Sequence, residues 1–233
     1  MRKLPIDQLS ALFQAIAEKE ALYIPADDSS GQARFQRWHE GMEMTHALNT
    51  VRSAKDFFFP QTENLVDFKL KGKEIEVIDP RTEHEDFVVF GVRGCDARSF
   101  TILDKVFLAE PVDTYYKSRR EHGTIVSLAC THPEETCFCS TFGDSLYLEA
   151  LTEKGEKFLA AVADKTSECG DEAVRAQQEK TRDIAKKLPL HELNLTGFNG
   201  ENMLKLFDSK KWGELSQACL GCGTCTFVCP TCQ

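Results

Sequence analysis

Phe87-Val88-Val89-Phe90-Gly91-Val92 runs directly into Arg93-Gly94-Cys95-Asp96. Six nearly continuous apolar residues make a strand buried on both faces, the kind found inside a parallel sheet. The polar residues that follow open a helix, in which Phe100, Leu103, Val106 and Phe107 recur at helical spacing. A second helix is expected over Val112 to Glu121. Thr124 to Ala129 then reads as another buried strand, ending at Cys130. Strand, helix and buried strand in that order specify a βαβ unit and hence an α/β domain.

Working outward, Pro5 to Glu20 carries Leu9, Leu12, Phe13 and Ile16 at three- and four-residue steps, which predicts an amphipathic helix. Leu22 to Pro25 reads as a short strand ended by its proline, and Ala33 to Trp38 as another. Thr50 to Phe57 reads as a short helix closed by Phe58, Phe59 and Pro60. Leu65 to Leu70 and Glu74 to Asp79 alternate in polarity on either side of Lys71-Gly72-Lys73, the pattern of a β-hairpin. Asp144 to Leu151 reads as a strand, Glu153 to Val162 as a helix, and Asp171 to Lys187 as a charged, solvated helix. Short helices with polar joints are expected after Leu195.

The chain therefore divides into an α/β domain over residues 1–190, with a mixed sheet, a βαβ unit and a hairpin, and a small, mainly helical segment over 191–233. At 233 residues with 42% hydrophobic composition it can bury a substantial core. No apolar stretch reaches membrane-spanning length. The N-terminus lacks the apolar segment of a secretory signal. Both point to a cytoplasmic setting. A net charge of −9 argues against nucleic acid and anionic membranes as partners.

Ten cysteines are many for such a chain. In a cytoplasmic protein they are more often metal-binding or catalytic than disulfide-bonded. Cys219, Cys222, Cys225 and Cys229, followed by Pro230, form a C-x2-C-x2-C-x3-C-P run, the bacterial ferredoxin spacing for a [4Fe–4S] cluster. Zinc is the rival metal for such C-x2-C pairs. In two-cluster ferredoxins the first three cysteines hold one cluster and the fourth holds the other. The run thus reads as the first half of a truncated two-cluster module, although Cys232 could complete a single local cluster.

Four further cysteines lie in the α/β domain. Cys95 follows one predicted strand and Cys130 ends another, and ligands of open parallel sheets bind at those carboxyl ends. Cys137 and Cys139 follow a short loop containing His132. Together the four thiols form a candidate site for a metal or an additional cluster. Buried small side chains are the alternative for Cys95 and Cys130. Arg93, Asp96 and Arg98 flank Cys95 and are candidates to orient a ligand or tune its charge. Cys169 reads as a free surface thiol. No Gly-rich dinucleotide loop and no Ser/His/Asp pattern appears, so no catalytic residue is assigned.

Taken together, Asn49 to Pro60, Phe90 to Arg98, Leu128 to Ser140 and the terminal run resemble the 4Fe–4S dicluster electron-transfer subunits. That family includes sulfhydrogenase beta subunits, anaerobic sulfite reductase A subunits and subunits associated with heterodisulfide reductase. The resemblance implies an iron–sulfur subunit of an anaerobic oxidoreductase complex, with two [4Fe–4S] clusters in a full dicluster module, and leaves room for one more in the α/β domain. It implies as partners a flavoprotein subunit of the FAD/NAD(P)H type and a catalytic redox subunit. Family members continue beyond the equivalent of Gln233 into a second cluster run, so the chain is expected to be cut short. A reductase with its own thiol or metal site near Cys95 and Cys130, and a structural zinc scaffold, are the rival readings.

Overall fold

A computed structural model describes residues 2–47, 49–82, 85–128, 145–187, 197 and 200–232. At its centre is a four-stranded mixed sheet. Its strands are β2 (Ala21–Asp27), β3 (Ala33–Arg37), β6 (Phe87–Arg93) and β7 (Gly123–Leu128), in the order β3-β2-β6-β7. β3 is antiparallel to β2, whereas β2, β6 and β7 are parallel, with Leu22 opposite Val88 and Val89 opposite Ile125. The expected βαβ unit is present. β6 leads into α2 (Gly94–Phe107) and α3 (Thr114–His122) before the chain returns as β7.

The apolar run of β6 is buried as its composition requires. Val88 and Phe90 enter one core with Leu12, Phe13 and Ile16 of α1 (Leu9–Ala17). Val89 and Val92 enter the other, with Phe100 and Leu103 of α2 and Tyr116 of α3. Strict alternation would put Val92 on the same side as Val88 and Phe90. A register shift between Phe90 and Val92 reverses that parity, and Gly91 at its centre has φ +87°. The extra residue of a bulge therefore sends Val92 into the second core.

Several expectations need correction. The strand expected to stop at Pro25 continues to Asp27. Its ladder to β6 spans only Ala21 to Tyr23, so the N–H that proline lacks is not needed on that side. The helix expected from Pro5 begins as a 3-10 turn over Ile6–Gln8 and becomes α-helical only at Leu9. The helix expected over Thr50 to Phe57 shrinks to one 3-10 turn, Ala54–Phe57, whose N-terminus is capped by the Ser53 hydroxyl accepting from the Lys55 amide.

Arg2–Pro5 forms an unforeseen strand, β1, between β8 (Ser145–Leu148) and β9 (Ser167–Glu168) in a second, antiparallel sheet. The hairpin is formed by β4 (Asp67–Lys71) and β5 (Glu74–Ile78), turning at Gly72 with φ +67°. It stands as a separate ribbon, with Phe68, Leu70, Ile75 and Val77 exposed on one face. Helix α3 begins where Asp113 accepts from the amides of Tyr115 and Tyr116. Helices α4 (Glu153–Ala161), α5 (Glu172–Ala185), α6 (Gly200–Phe207), α7 (Lys211–Leu215) and α8 (Thr224–Val228) complete the described chain. The expected boundary near Leu190 lies outside the described residues.

Candidate functional site

The terminal cysteines sit where helix and loop alternate. Cys219 and Cys222 lie in the loop between α7 and α8, Cys225 lies inside α8, and Cys229 ends it. Gly221 and Gly223 have φ of +67° and +74°, a region that favours glycine and lets the chain reverse between thiols. Cys219, Cys222 and Cys225 are exposed, while Cys229 and Cys232 are half-buried.

Local hydrogen bonds favour thiolate at two of these positions. Cys222 Sγ lies 3.3 Å from Thr224 Oγ1, and the Thr224 hydroxyl and amide hold this thiol below its ordinary value. Thr231 Oγ1 lies 3.3 Å from Cys229 Sγ. That hydroxyl outweighs burial and, with Cys232, draws the Cys229 thiol down to about 7. Cys232 is pushed up by its hydrogen bond with Cys229, against the pull of Lys55. Of the pair, Cys229 is the one whose surroundings favour the thiolate.

This segment is docked on the α/β domain. Lys55 Nζ donates to the carbonyl oxygens of Cys229 at 2.8 Å and Cys232 at 3.0 Å. The Arg52 guanidinium stacks 4.3 Å from the Phe227 ring centroid and pairs with Asp56 at 2.6 Å. Lys55, Asp56, Phe59, Cys222, Phe227 and Cys232 line a cleft of about 620 Å³ between the two parts. Sequence reasoning missed Lys55 and Ser53, although both lie in the Asn49 to Pro60 segment that carried part of the family resemblance.

Cys95 occupies the first turn of α2, exposed, with Sγ 4.0 Å from Asp96 Oδ1. Burial raises the Asp96 carboxyl above its usual range, although the Ser53 hydroxyl and Arg93 pull it down. Arg93 donates to the Ala47 carbonyl at 3.0 Å. Arg93 and Asp96 line a cavity of about 240 Å³ that Val228 also lines, so the cysteine run approaches this sheet edge. Arg98 instead lines a larger cavity formed with β7 and α4. The three residues expected around Cys95 thus face two different spaces. Cys130, His132, Cys137 and Cys139 lie outside the described residues. Cys169 is half-buried rather than fully exposed.

The donor set of the terminal run suits a soft metal. It has five thiols within fourteen positions, two left-handed glycines between them and no carboxylate. Among the described residues, no group of three or more His, Cys, Asp or Glu side chains is arranged to hold a metal ion. The composition of the run therefore fits a thiolate-bound cluster.

Sulfhydrogenase 2 subunit beta of Pyrococcus furiosus is 31% identical to the chain over 249 aligned positions, covering 99% of this chain and 72% of that protein. The chain belongs to the sulfhydrogenase beta-subunit family. The similarity to this family includes both the α/β domain and the cysteine run, because almost the whole chain is covered. No protein-family model matches the chain, and no solved structure matches it. Among the described residues, no helix is long and apolar enough to cross a membrane.

Proposed function

We propose that the protein is a cytoplasmic iron–sulfur electron-transfer subunit of an anaerobic oxidoreductase complex. It would pass electrons between a flavoprotein subunit and a catalytic subunit of hydrogenase type. The observation that carries this reading is the thiol run Cys219, Cys222, Cys225 and Cys229, docked on the α/β domain through Lys55 in a member of the sulfhydrogenase beta family.

A [4Fe–4S] cluster held by such a run supplies one-electron transfer. The chain's own residues bind and tune. Thr224 and Thr231 favour thiolates at Cys222 and Cys229, the form that ligates metal. Gly221 and Gly223 give the backbone the freedom to wrap a cluster. Ser53 and Lys55 bring the run to the edge of the sheet at which Cys95 stands. Cys95, Cys130, Cys137 and Cys139 are proposed as a further metal-binding set, with Arg93, Asp96 and Arg98 as its supporting residues. The charge of −9 suits docking against a basic face of a partner.

Metal and sulfide analysis of anaerobically prepared protein tests the reading. Iron and acid-labile sulfide in equal amounts, about four of each per cluster, are expected, with a paramagnetic signal on reduction. Zinc without iron would sink it.

A further inference from the structure

The most unusual polar group in the described chain is Lys55. It is 6% exposed, lies in a single 3-10 turn between the buried Ala54 and Phe58, and belongs to none of the cysteine motifs. Its ammonium reaches across the interface between the two parts of the chain and bonds two carbonyls, those of Cys229 and Cys232, more than 170 residues away. Both acceptors are neutral. The Asp56 carboxylate in the same cleft feels the Lys55 charge, but the ammonium's hydrogen bonds go to these uncharged carbonyls. That charge acts on the Cys232 thiol beside it.

Lys55 also has a supported base. The Ser53 hydroxyl accepts from the Lys55 amide at 3.1 Å and lines the same cavity as Asp96, whose ionised form it favours. Asp96 follows Cys95 in the first turn of α2. A chain of contacts, Asp96 to Ser53 to Lys55 to Cys229, therefore joins the sheet edge to the terminal run. Arg52 adds a second attachment through the Phe227 ring.

We propose that Lys55 is a positioning residue for the terminal redox centre: it pins the backbone of Cys229 and Cys232 to the α/β domain and holds a buried positive charge against the cysteine run. Simple anchoring of two carbonyls needs only N–H donors. An ammonium additionally favours the more negative, reduced state of a thiolate-bound centre, because buried charge acts through a low dielectric. The electrostatic half of this proposal rests on the iron–sulfur reading above, whereas the anchoring half does not.

The test compares Lys55→Met, Lys55→Gln and Lys55→Arg with the parent chain. Amide hydrogen exchange of residues 227–232 in metal-free protein reads the anchor. Lys55→Met is expected to exchange there roughly tenfold faster or more, since two charge-assisted hydrogen bonds are lost, and Lys55→Arg to restore much of the protection. Midpoint potentials from reductive titration of the reconstituted protein read the charge. A shift to more negative potential is expected in Lys55→Met and Lys55→Gln, and parent-like behaviour in Lys55→Arg. Should Lys55→Met fail to fold, Lys55→Gln, whose side chain is one bond shorter and uncharged and so loses both charge-assisted bonds, carries both comparisons. Unchanged exchange in the uncharged variants overturns the anchor, and an unchanged potential overturns the electrostatic role. A parent protein that binds no iron and sulfide overturns the proposed function, while the exchange result still judges the anchor.

Discussion

A Cβ placed on Gly91 would stand 2.9 Å from Cδ of Pro25 on the neighbouring strand. The same residue has φ +87° and forms the bulge that turns Val92 toward the second core. Gly91→Ala therefore meets two penalties, a strained backbone and a contact tighter than any side chain tolerates. A loss of about 2–4 kcal/mol is expected, measured as a lower denaturant midpoint. A parent-like midpoint would show that the bulge rearranges without cost.

Gly123 is buried at the start of β7 for a different reason. Its φ is ordinary, but a Cβ there would lie 2.3 Å from Cε1 of Phe58 and 2.6 Å from Cζ of Phe87. Gly123→Ala must push apart two aromatic rings packed at a centroid separation of 5.4 Å. A cost of about 1–3 kcal/mol is expected, and Phe58→Leu in the same chain should recover part of it. Additive losses in the double variant would argue against the ring clash.

Asp104 on α2 accepts from Arg120 Nε at 2.8 Å, Arg120 Nη2 at 2.9 Å and Tyr116 Oη at 2.7 Å, tying α2 to α3. Burial works to raise the Asp104 carboxyl, but the bonds from Arg120 and Tyr116 outweigh it and hold it below its usual value. A depressed carboxyl contributes stability above its unfolded value of about 3.9, lost as pH falls through the lower folded value. Tyr116 is displaced the opposite way, with burial and Asp104 pushing its hydroxyl up. Its contribution is complete below about 10 and is lost as pH rises beyond that. Asp104→Asn should lower stability at neutral pH by about 1–3 kcal/mol and flatten the acid limb of the stability profile. An acid limb identical to the parent's would refute the assignment.

Serine substitutions separate ligand thiols from bystanders. Cys222→Ser or Cys225→Ser is expected to reduce iron by about four per chain, the content of one cluster. Cys169→Ser, just after β9 and outside both cysteine motifs in the sequence, should leave iron unchanged. Equal iron in all three variants would remove the terminal run from the ligand set.

Much of the fold was legible because its signals are local. The apolar run Phe87 to Val92, the alternation around Lys71-Gly72-Lys73 and the helical spacing of Leu12, Phe13 and Ile16 each report the period of one element, and all three elements form. The thiol spacing from Cys219 to Cys229 is local in the same sense and names a ligand chemistry without any neighbour's help. What failed was long-range. β1 exists because Arg2 to Pro5 finds partners at Ser145–Leu148 and Ser167–Glu168, which no pattern within four residues can announce.

Sequence alone therefore determined the α/β class, the βαβ unit, the hairpin and the identity of the thiol run, since each follows from side-chain periodicity or spacing. Only tertiary structure decided that Gly91 must lack a side chain, that Val92 changes sides, and that Lys55 grips Cys229. Those outcomes depend on which surfaces meet across the sheet, and on a buried ammonium finding acceptors 174 and 177 residues away. Steric exclusion and the cost of an unsatisfied buried charge act between neighbours in space, which the order of residues along the chain does not display.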